Sequence, residues 1–216
     1  MGLIHISSVV KLLDAIRGKQ AIILVGKPGT GKTMLIRHLV DVLGMRPEDQ
    51  QQALAYYEAA GLTKDSGMQA VRAIYNYNAA PFRAPHHTCS RAGLEGSVVK
   101  LKESGEKWMP GEVHLAHGGI LFLDEVDEFR RDAFDATWSA WKNKETTYRK
   151  KMTHGGITEP VELQAPCQFA LVMATDQRGL DRLRQQHEDI FSQLQIIEIH
   201  PGFKDPNSFW PSASEV

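Results

Sequence analysis

Apolar residues at Val9, Leu12, Leu13 and Ile16 recur with the spacing of one helix face, with Ser7 or Ser8 placed to cap the start and Gly18 placed to end it. The next run, 21–25, is short, continuous and rich in branched residues, which predicts a parallel strand buried on both faces. A glycine-rich stretch follows, and then Leu35, Ile36, Leu39 and Val40 at helical spacing. Similar apolar runs at 120–123, 169–174 and 196–199 predict three further buried strands, with helical segments between them. The pattern is that of an α/β protein with an open parallel sheet.

Between the first two of these strands, 47–60 and 64–75 read as helices with Gly61 as a stop. Residues 98–101 and 112–115 are expected to pair as a hairpin around Ser104-Gly105. The triplet Phe134, Trp138 and Trp141 has i, i+4, i+7 spacing and reads as a buried helix face. Residues 200–216, with Pro201, Gly202, Pro206 and Pro211, read as a surface tail on which Phe209 and Trp210 dock.

Gly26-Lys27-Pro28-Gly29-Thr30-Gly31-Lys32-Thr33 matches the phosphate-binding loop in full, and it lies between a predicted strand and a predicted helix. Glycines let successive backbone N–H groups curl around phosphate oxygens, and the helix N-terminus adds its positive dipole end. Lys32 is then expected to reach the β- and γ-phosphates, and Thr33 to ligate Mg²⁺. The strand 120–123 ends in Asp124-Glu125, two carboxylates at the carboxyl edge of a parallel sheet. Asp124 is expected to hold Mg²⁺ through water, and Glu125 to orient the water that attacks the γ-phosphate. ATP hydrolysis is the leading expectation.

With 216 residues, 42% hydrophobic and 24% charged, the chain has the composition of one ordinary folded domain. Lys+Arg 25 against Asp+Glu 26 leaves a formal charge of -1, so attraction to a polyanion must come from local clustering. Cys89 and Cys167 are far apart, no secretory leader opens the chain, and no apolar run approaches the ~18 residues of a membrane helix. A reduced, cytoplasmic protein is expected.

The stretch Ala80-Pro81-Phe82-Arg83-Ala84-Pro85-His86-His87-Thr88, followed by Pro110-Gly111-Glu112-Val113-His114-Leu115-Ala116-His117-Gly118-Gly119 and the acidic strand, resembles the AAA+ ATPases of the magnesium-chelatase type. Within them it is most similar to the bacterial competence-associated branch, whose members act as ring-shaped DNA helicases. The resemblance runs in order over 22–174. It implies an αβα sandwich with strand order 5-1-4-3-2, a core over 1–199 with an insertion at about 45–115, and a ring with ATP at subunit boundaries. It also implies two hairpins aimed into a pore. One would span about 96–113 with Lys100, Lys102 and Lys107; the other would span about 146–163. Lys142, Lys144, Arg149, Lys150 and Lys151 cluster on and just before the second. Lining a pore, they would contact DNA phosphates without reading sequence; as an ordinary charge run they would be solvated surface.

Departures from the family pattern are informative. Thr175-Asp176 stands where the family carries a polar γ-phosphate sensor, and the Asp176 charge would repel phosphate. Gln193 stands where the resemblance implies an arginine that reaches the neighbour's γ-phosphate, with Arg182 and Arg184 as stand-ins upstream. The helical lid and the amino-terminal protease-like domain of the family are expected to be absent, so weak intrinsic turnover is expected, with a partner protein supplying the missing parts. Zinc ligation by His86, His87, Cys89, His114 and His117 is a further option, but the family motif already accounts for His86, His87 and His117. Three functions follow: a ring-forming ATPase motor acting on DNA, a nucleotide-binding regulatory or scaffold subunit with little hydrolysis, and magnesium insertion into a porphyrin.

Overall fold

A computed structural model describes residues 6–41, 43–62, 67–77, 79–101, 105–154 and 157–199. The expectations for the tail 200–216 and for Lys102 therefore lie outside the described residues, as do the side chains of Lys100, Lys150 and Lys151. Helix α1 (Ile6–Arg17) leads into β1 (Ala21–Val25), and α2 (Lys32–Asp41) follows the glycine loop. Because α1 already starts at Ile6, Ser7 and Ser8 lie inside its first turn and not at its cap. Its end falls as expected just before Gly18, and the left-handed residue of that turn is Lys19, at φ 52°.

Helices α3 (Pro47–Ala59) and α4 (Gly67–Tyr77) come next, then a two-residue strand β2 (Phe82–Arg83) and the short helix α5 (Arg91–Glu95). The α3 stop falls as expected at Gly61, whose φ of 73° suits glycine. Strands β3 (Ser97–Leu101) and β4 (Gly105–Met109) form an antiparallel hairpin. The expected partner 112–115 is instead the short helix α6 (Glu112–Leu115). Gly111 starts that helix against Leu94 and Gly96, too close for any side chain, and Glu112 is drawn into a bidentate pair with Arg83 at 2.6 and 2.8 Å.

Then follow β5 (Ile120–Leu123), α7 (Arg131–Asn143), the hairpin β6 (Glu145–His154) and β7 (Ile157–Pro166), β8 (Ala170–Thr175), α8 (Gln177–Gln186) and β9 (Leu194–Glu198). The main sheet has the order β2-β5-β8-β1-β9 and every pair in it is parallel. Counting only its five strands along the chain, that is 5-1-4-3-2 read from the other edge. The fold is the AAA+ αβα sandwich. Alternate residues of the strands enter opposite cores, as a sheet buried on both faces requires. Ile22, Leu24, Phe122 and Val172 pack with Leu12, Ile16, Ile36 and Leu39 of α1 and α2. Ile23, Leu121, Leu123 and Met173 pack with Phe134 and Trp138 of α7, and the expected aromatic stripe is the buried face of that helix.

The two hairpins root in one small polar-aromatic cluster. The Tyr56 hydroxyl donates to the Pro166 carbonyl at 2.6 Å, and its ring meets Trp108 and His114 edge-on. His114 takes the Gly111 N–H on Nδ1 and so carries its own proton on Nε2, 2.8 Å from the Thr146 hydroxyl. Likewise His117 accepts the Gln168 N–H on Nδ1 and places Nε2 3.3 Å from Asp49. These histidines, considered above for zinc, clasp the roots of the hairpins. Among the described residues no group of three His, Cys, Asp or Glu side chains is arranged to hold a metal, and no helix is long and apolar enough to cross a membrane.

Candidate functional site

The loop and the acidic pair meet at the carboxyl edge of the sheet. Strand β1 is fully buried, which fixes where the chain emerges, and Gly29 and Gly31 turn it at φ 77° and 85°. A Cβ at position 26 would stand 2.5 Å from the Ile199 carbonyl oxygen, so the loop can pass β9 only with glycine there. The Lys32 ammonium bends back to donate to the Gly26 carbonyl at 2.7 Å and the Lys27 carbonyl at 3.2 Å. Thr30 donates to the Lys27 carbonyl at 2.9 Å. Burial lowers the Lys32 pKa, and the nearby Asp124 and Asp176 offset only part of that.

Strand β5 brings Asp124 opposite the loop, where its carboxylate accepts the Thr33 hydroxyl proton at 2.7 Å. Residues 91 positions apart in sequence thus share a hydrogen bond. Glu125 follows with a left-handed backbone, φ 51° and ψ 49°, a conformation that costs a non-glycine residue about 1–2 kcal/mol and concentrates at working sites. The twist holds its side chain largely exposed at the cleft, with one oxygen 3.3 Å from Nδ1 of His87. The imidazoles of His86 and His87 lie 4.0 Å apart, centre to centre.

The cleft so formed has a volume of about 530 Å³. Of the residues named from sequence, Pro28, Gly29, Thr30, Gly31, Lys32, Thr33, Asp124, Glu125, Thr175 and Asp176 line it. Gly26 and Lys27 do not; they supply the carbonyls on which Lys32 rests. Asp176 is less of an electrostatic puzzle than its sequence position implies, because its carboxylate caps α8 by accepting the Gly179 N–H at 2.8 Å.

Three charged lining residues are not named from sequence in this place: Asp127, Glu128 and Arg182. Asp127 accepts hydrogen bonds from the Thr175 hydroxyl and from Arg182, which also reaches Glu128 at 3.1 Å. Burial pushes the Asp127 carboxyl up, but the bonds from Thr175, Arg182 and its own backbone outweigh it and hold the pKa below the usual range. Arg182, considered above as a stand-in that reaches a neighbour, therefore lies in its own subunit's cleft. Arg184 stacks over Phe191, with its guanidinium 5.0 Å from the ring centre. The available signal in the sequence is the acidic run Asp124-Glu125-Val126-Asp127-Glu128, whose last two members call for a partner.

Of the expected DNA contacts, Lys107 is exposed on β4, Lys144 stands at the root of the second hairpin, and Arg149 is engaged across that hairpin by Glu162 at 3.0 Å.

Comparison with known proteins places this geometry. The family described as "Magnesium chelatase, subunit ChlI" matches residues 7–198. The competence protein ComM of Haemophilus influenzae is 35% identical over 163 residues, which are 76% of this chain and 28% of ComM. The uncharacterized protein YifB of Salmonella typhimurium is 39% identical over 119 residues, 55% of this chain and 21% of YifB. The archaeal Lon protease of Thermococcus kodakarensis is 32% identical over 93 residues, 41% of this chain and 14% of the protease. The chain thus spans under a third of the length of these relatives. A crystal structure of NtrX from Brucella abortus shares the fold at 17% identity and a TM-score of 0.50, covering 93% of this chain and 37% of that one. With the loop, the acidic strand and the 5-1-4-3-2 sheet all inside the matched span, the chain belongs to the magnesium-chelatase ChlI family of AAA+ proteins.

Proposed function

We propose that the chain is the ATP-hydrolysing core of an AAA+ motor that assembles into a ring and acts on DNA. The observation that carries the ATPase reading is the 2.7 Å contact between Thr33 and Asp124, which unites the phosphate loop with the acidic strand. The cleft fits a nucleoside triphosphate with Mg²⁺. Its glycine turns leave backbone N–H groups available, Lys32 rests on carbonyls it can leave, and Thr33 and Asp124 offer adjacent hard oxygens. Thr33 and Asp124 would hold the metal, whose chemistry is to neutralise charge on the β- and γ-phosphates. Lys32 would bind the phosphates, and Thr175 would sense the γ-phosphate from its seat on Asp127. Glu125 would orient and deprotonate the attacking water, with His87 setting the direction of its carboxylate.

DNA is the proposed substrate by similarity to the competence protein ComM, and from Lys107 and Lys144 together with Lys100, Lys102, Arg149, Lys150 and Lys151, which lie near them in the sequence. Two free cysteines suit a reducing cytoplasm. The test is Mg²⁺-dependent phosphate release with and without DNA. Glu125→Gln should lower turnover by about 10²–10⁴-fold while ATP still binds; unchanged turnover overturns the assignment of Glu125.

One observation favours a second reading, a regulatory subunit that hydrolyses little by itself. Arg182 is held by Asp127 and Glu128, which leaves Lys32 as the one uncommitted-by-carboxylate cation lining the cleft among the described residues. That reading expects ATP-dependent association with slow turnover until a partner contributes a further cation, and vigorous turnover of the isolated chain refutes it.

A further inference from the structure

The opposite, amino edge of the sheet carries a second cavity, of about 390 Å³. The residues around it come from the turns that lead into β1, α3, β8 and β9 and from the end of α7. Its charged members are Arg17, Lys19, Arg46, Lys142 and Lys144, and no carboxylate lines it. Trp141 and Phe169 supply an apolar wall, and Gln168 and Gln193 supply amides.

Two of these cations are placed at a conformational cost. Among the described residues three non-glycines have left-handed backbone, namely Glu125 in the cleft and Lys19 and Lys144 here. Both lysines directly follow a helix end, where glycine takes this conformation freely. The chain uses glycine for it elsewhere, as at Gly61 after α3. Offsetting the helix dipole does not require a lysine at those positions, since Arg17 and Lys142 already sit in the last turns of α1 and α7. What distinguishes the two positions is that each puts a cation on the cavity wall.

The surroundings fix them in place. The indole N–H of Trp141 donates to the Lys19 carbonyl at 3.0 Å, and the Lys19 ammonium reaches Asp49 at 2.7 Å. Arg46 shares Asp49 at 3.0 Å and meets Glu48 at 3.3 Å. Asp49 and Glu48 are the acids that face the group, and they are spent on Lys19 and Arg46. Arg17, Lys142 and Lys144 have no ion-pair partner among the described residues. Like charges gathered around a concave space repel one another, and an entering anion relieves that repulsion.

We propose that this cavity is a second anion site, separate from the nucleotide cleft, that takes a phosphate group through Arg17, Lys142 and Lys144. Two sources carry that chemistry: a free di- or triphosphate, and the backbone of a nucleic acid. The proposal does not depend on the ATPase reading. Calorimetric titration of the full chain bearing Lys32→Ala, with inorganic pyrophosphate at low salt, isolates this cavity from the phosphate loop. Saturable binding that weakens with added KCl is expected. It should weaken about tenfold or more with Lys142→Ala, and similarly with Lys144→Gly, the size of one charge-assisted hydrogen bond. Lys11→Ala, on the exposed side of α1, should leave it unchanged. Lys144→Gly also relaxes the left-handed turn, so a loss of binding with an undiminished melting temperature is not a folding defect.

A parallel titration with short oligothymidylate separates the sources. Weakening of both probes by the lysine variants assigns a nucleic-acid backbone, and weakening of pyrophosphate alone assigns a small phosphate ligand. Absence of binding once Lys32 is removed, affinity indifferent to Lys142 and Lys144, or binding of polyglutamate with neither phosphate probe retained overturns the proposal.

Discussion

The two edges of the parallel sheet handle charge in opposite ways. At the carboxyl edge five carboxylates, Asp124, Glu125, Asp127, Glu128 and Asp176, line a cleft with two cations, Lys32 and Arg182. At the amino edge five cations line a cavity with no carboxylate. An acid-rich cleft suits an anion that arrives with a divalent cation, because the metal ends the repulsion between phosphate and carboxylate. A cation-rich cavity suits the bare anion. Both edges also retain non-glycine residues in left-handed backbone, so the comparison can be sharpened at single positions.

The largest effect is expected at Glu125→Gly. Glycine adopts φ 51° without strain, so the melting temperature should rise or hold, while turnover falls by about 10²–10⁴-fold with the loss of the carboxylate. Calorimetry and phosphate release, measured on one preparation, check both halves. A protein that loses stability along with turnover would mean that Glu125 holds the fold together and is not a working side chain in a strained seat.

A second effect should come from Gly179→Ala. Gly179 lies so close to the Thr175 hydroxyl and the Asp127 carboxylate that a methyl group there has no room. Displacing Asp127 frees Arg182 and strains the start of α8 together, for a loss of about 2–3 kcal/mol in chemical denaturation. The matching change on the other edge, Lys142→Ala, touches only solvated charge and should stay within about 0.5 kcal/mol.

How much of this was legible in the sequence follows from how local each feature is. The phosphate loop and the acidic strand are contiguous and carry their own context, so their residues and their meeting at one sheet edge could be read directly. Strand β2 is two residues between prolines, too short to leave any periodicity. The sequence points to the wrong partner for β3 because 112–115 alternates as convincingly as 105–109. What decides between them is the pairing of Glu112 with Arg83, 29 positions away. Asp127 and Arg182 meet across 55 positions, and the amino-edge cavity draws on five separate segments. Such features are made by topology, and a chain near neutrality hides a cluster of five cations in its average.

The hairpin roots, next to the amino edge through Thr146 and Gln168, carry a buried histidine whose charge depends on pH. Burial and the nearby His117 lower the His114 pKa to about 4, so the native state keeps this ring neutral where the unfolded chain would protonate it near 6.5. The unfolded state then binds more protons between those values. Stability should be constant above about pH 6.5 and fall by roughly 3 kcal/mol as pH drops to about 4. Burial lowers His117 in the same direction, against the pull of Asp49. Urea midpoints across this range check the slope, which His114→Gln should flatten.

The smallest effect makes the sharpest comparison. Lys144→Gly should stabilise the chain by about 0.5–1 kcal/mol, since relief of the left-handed strain exceeds the added freedom of the unfolded glycine. Thermal denaturation should show a rise of a few degrees, with phosphate release by the nucleotide cleft unchanged in the absence of DNA. If stability instead falls, the Lys144 side chain is packing or capping the end of α7 and its left-handed backbone is ordinary helix termination. The parallel with Glu125 would then be broken, and the amino edge would owe its positive charge to two solvated helix ends.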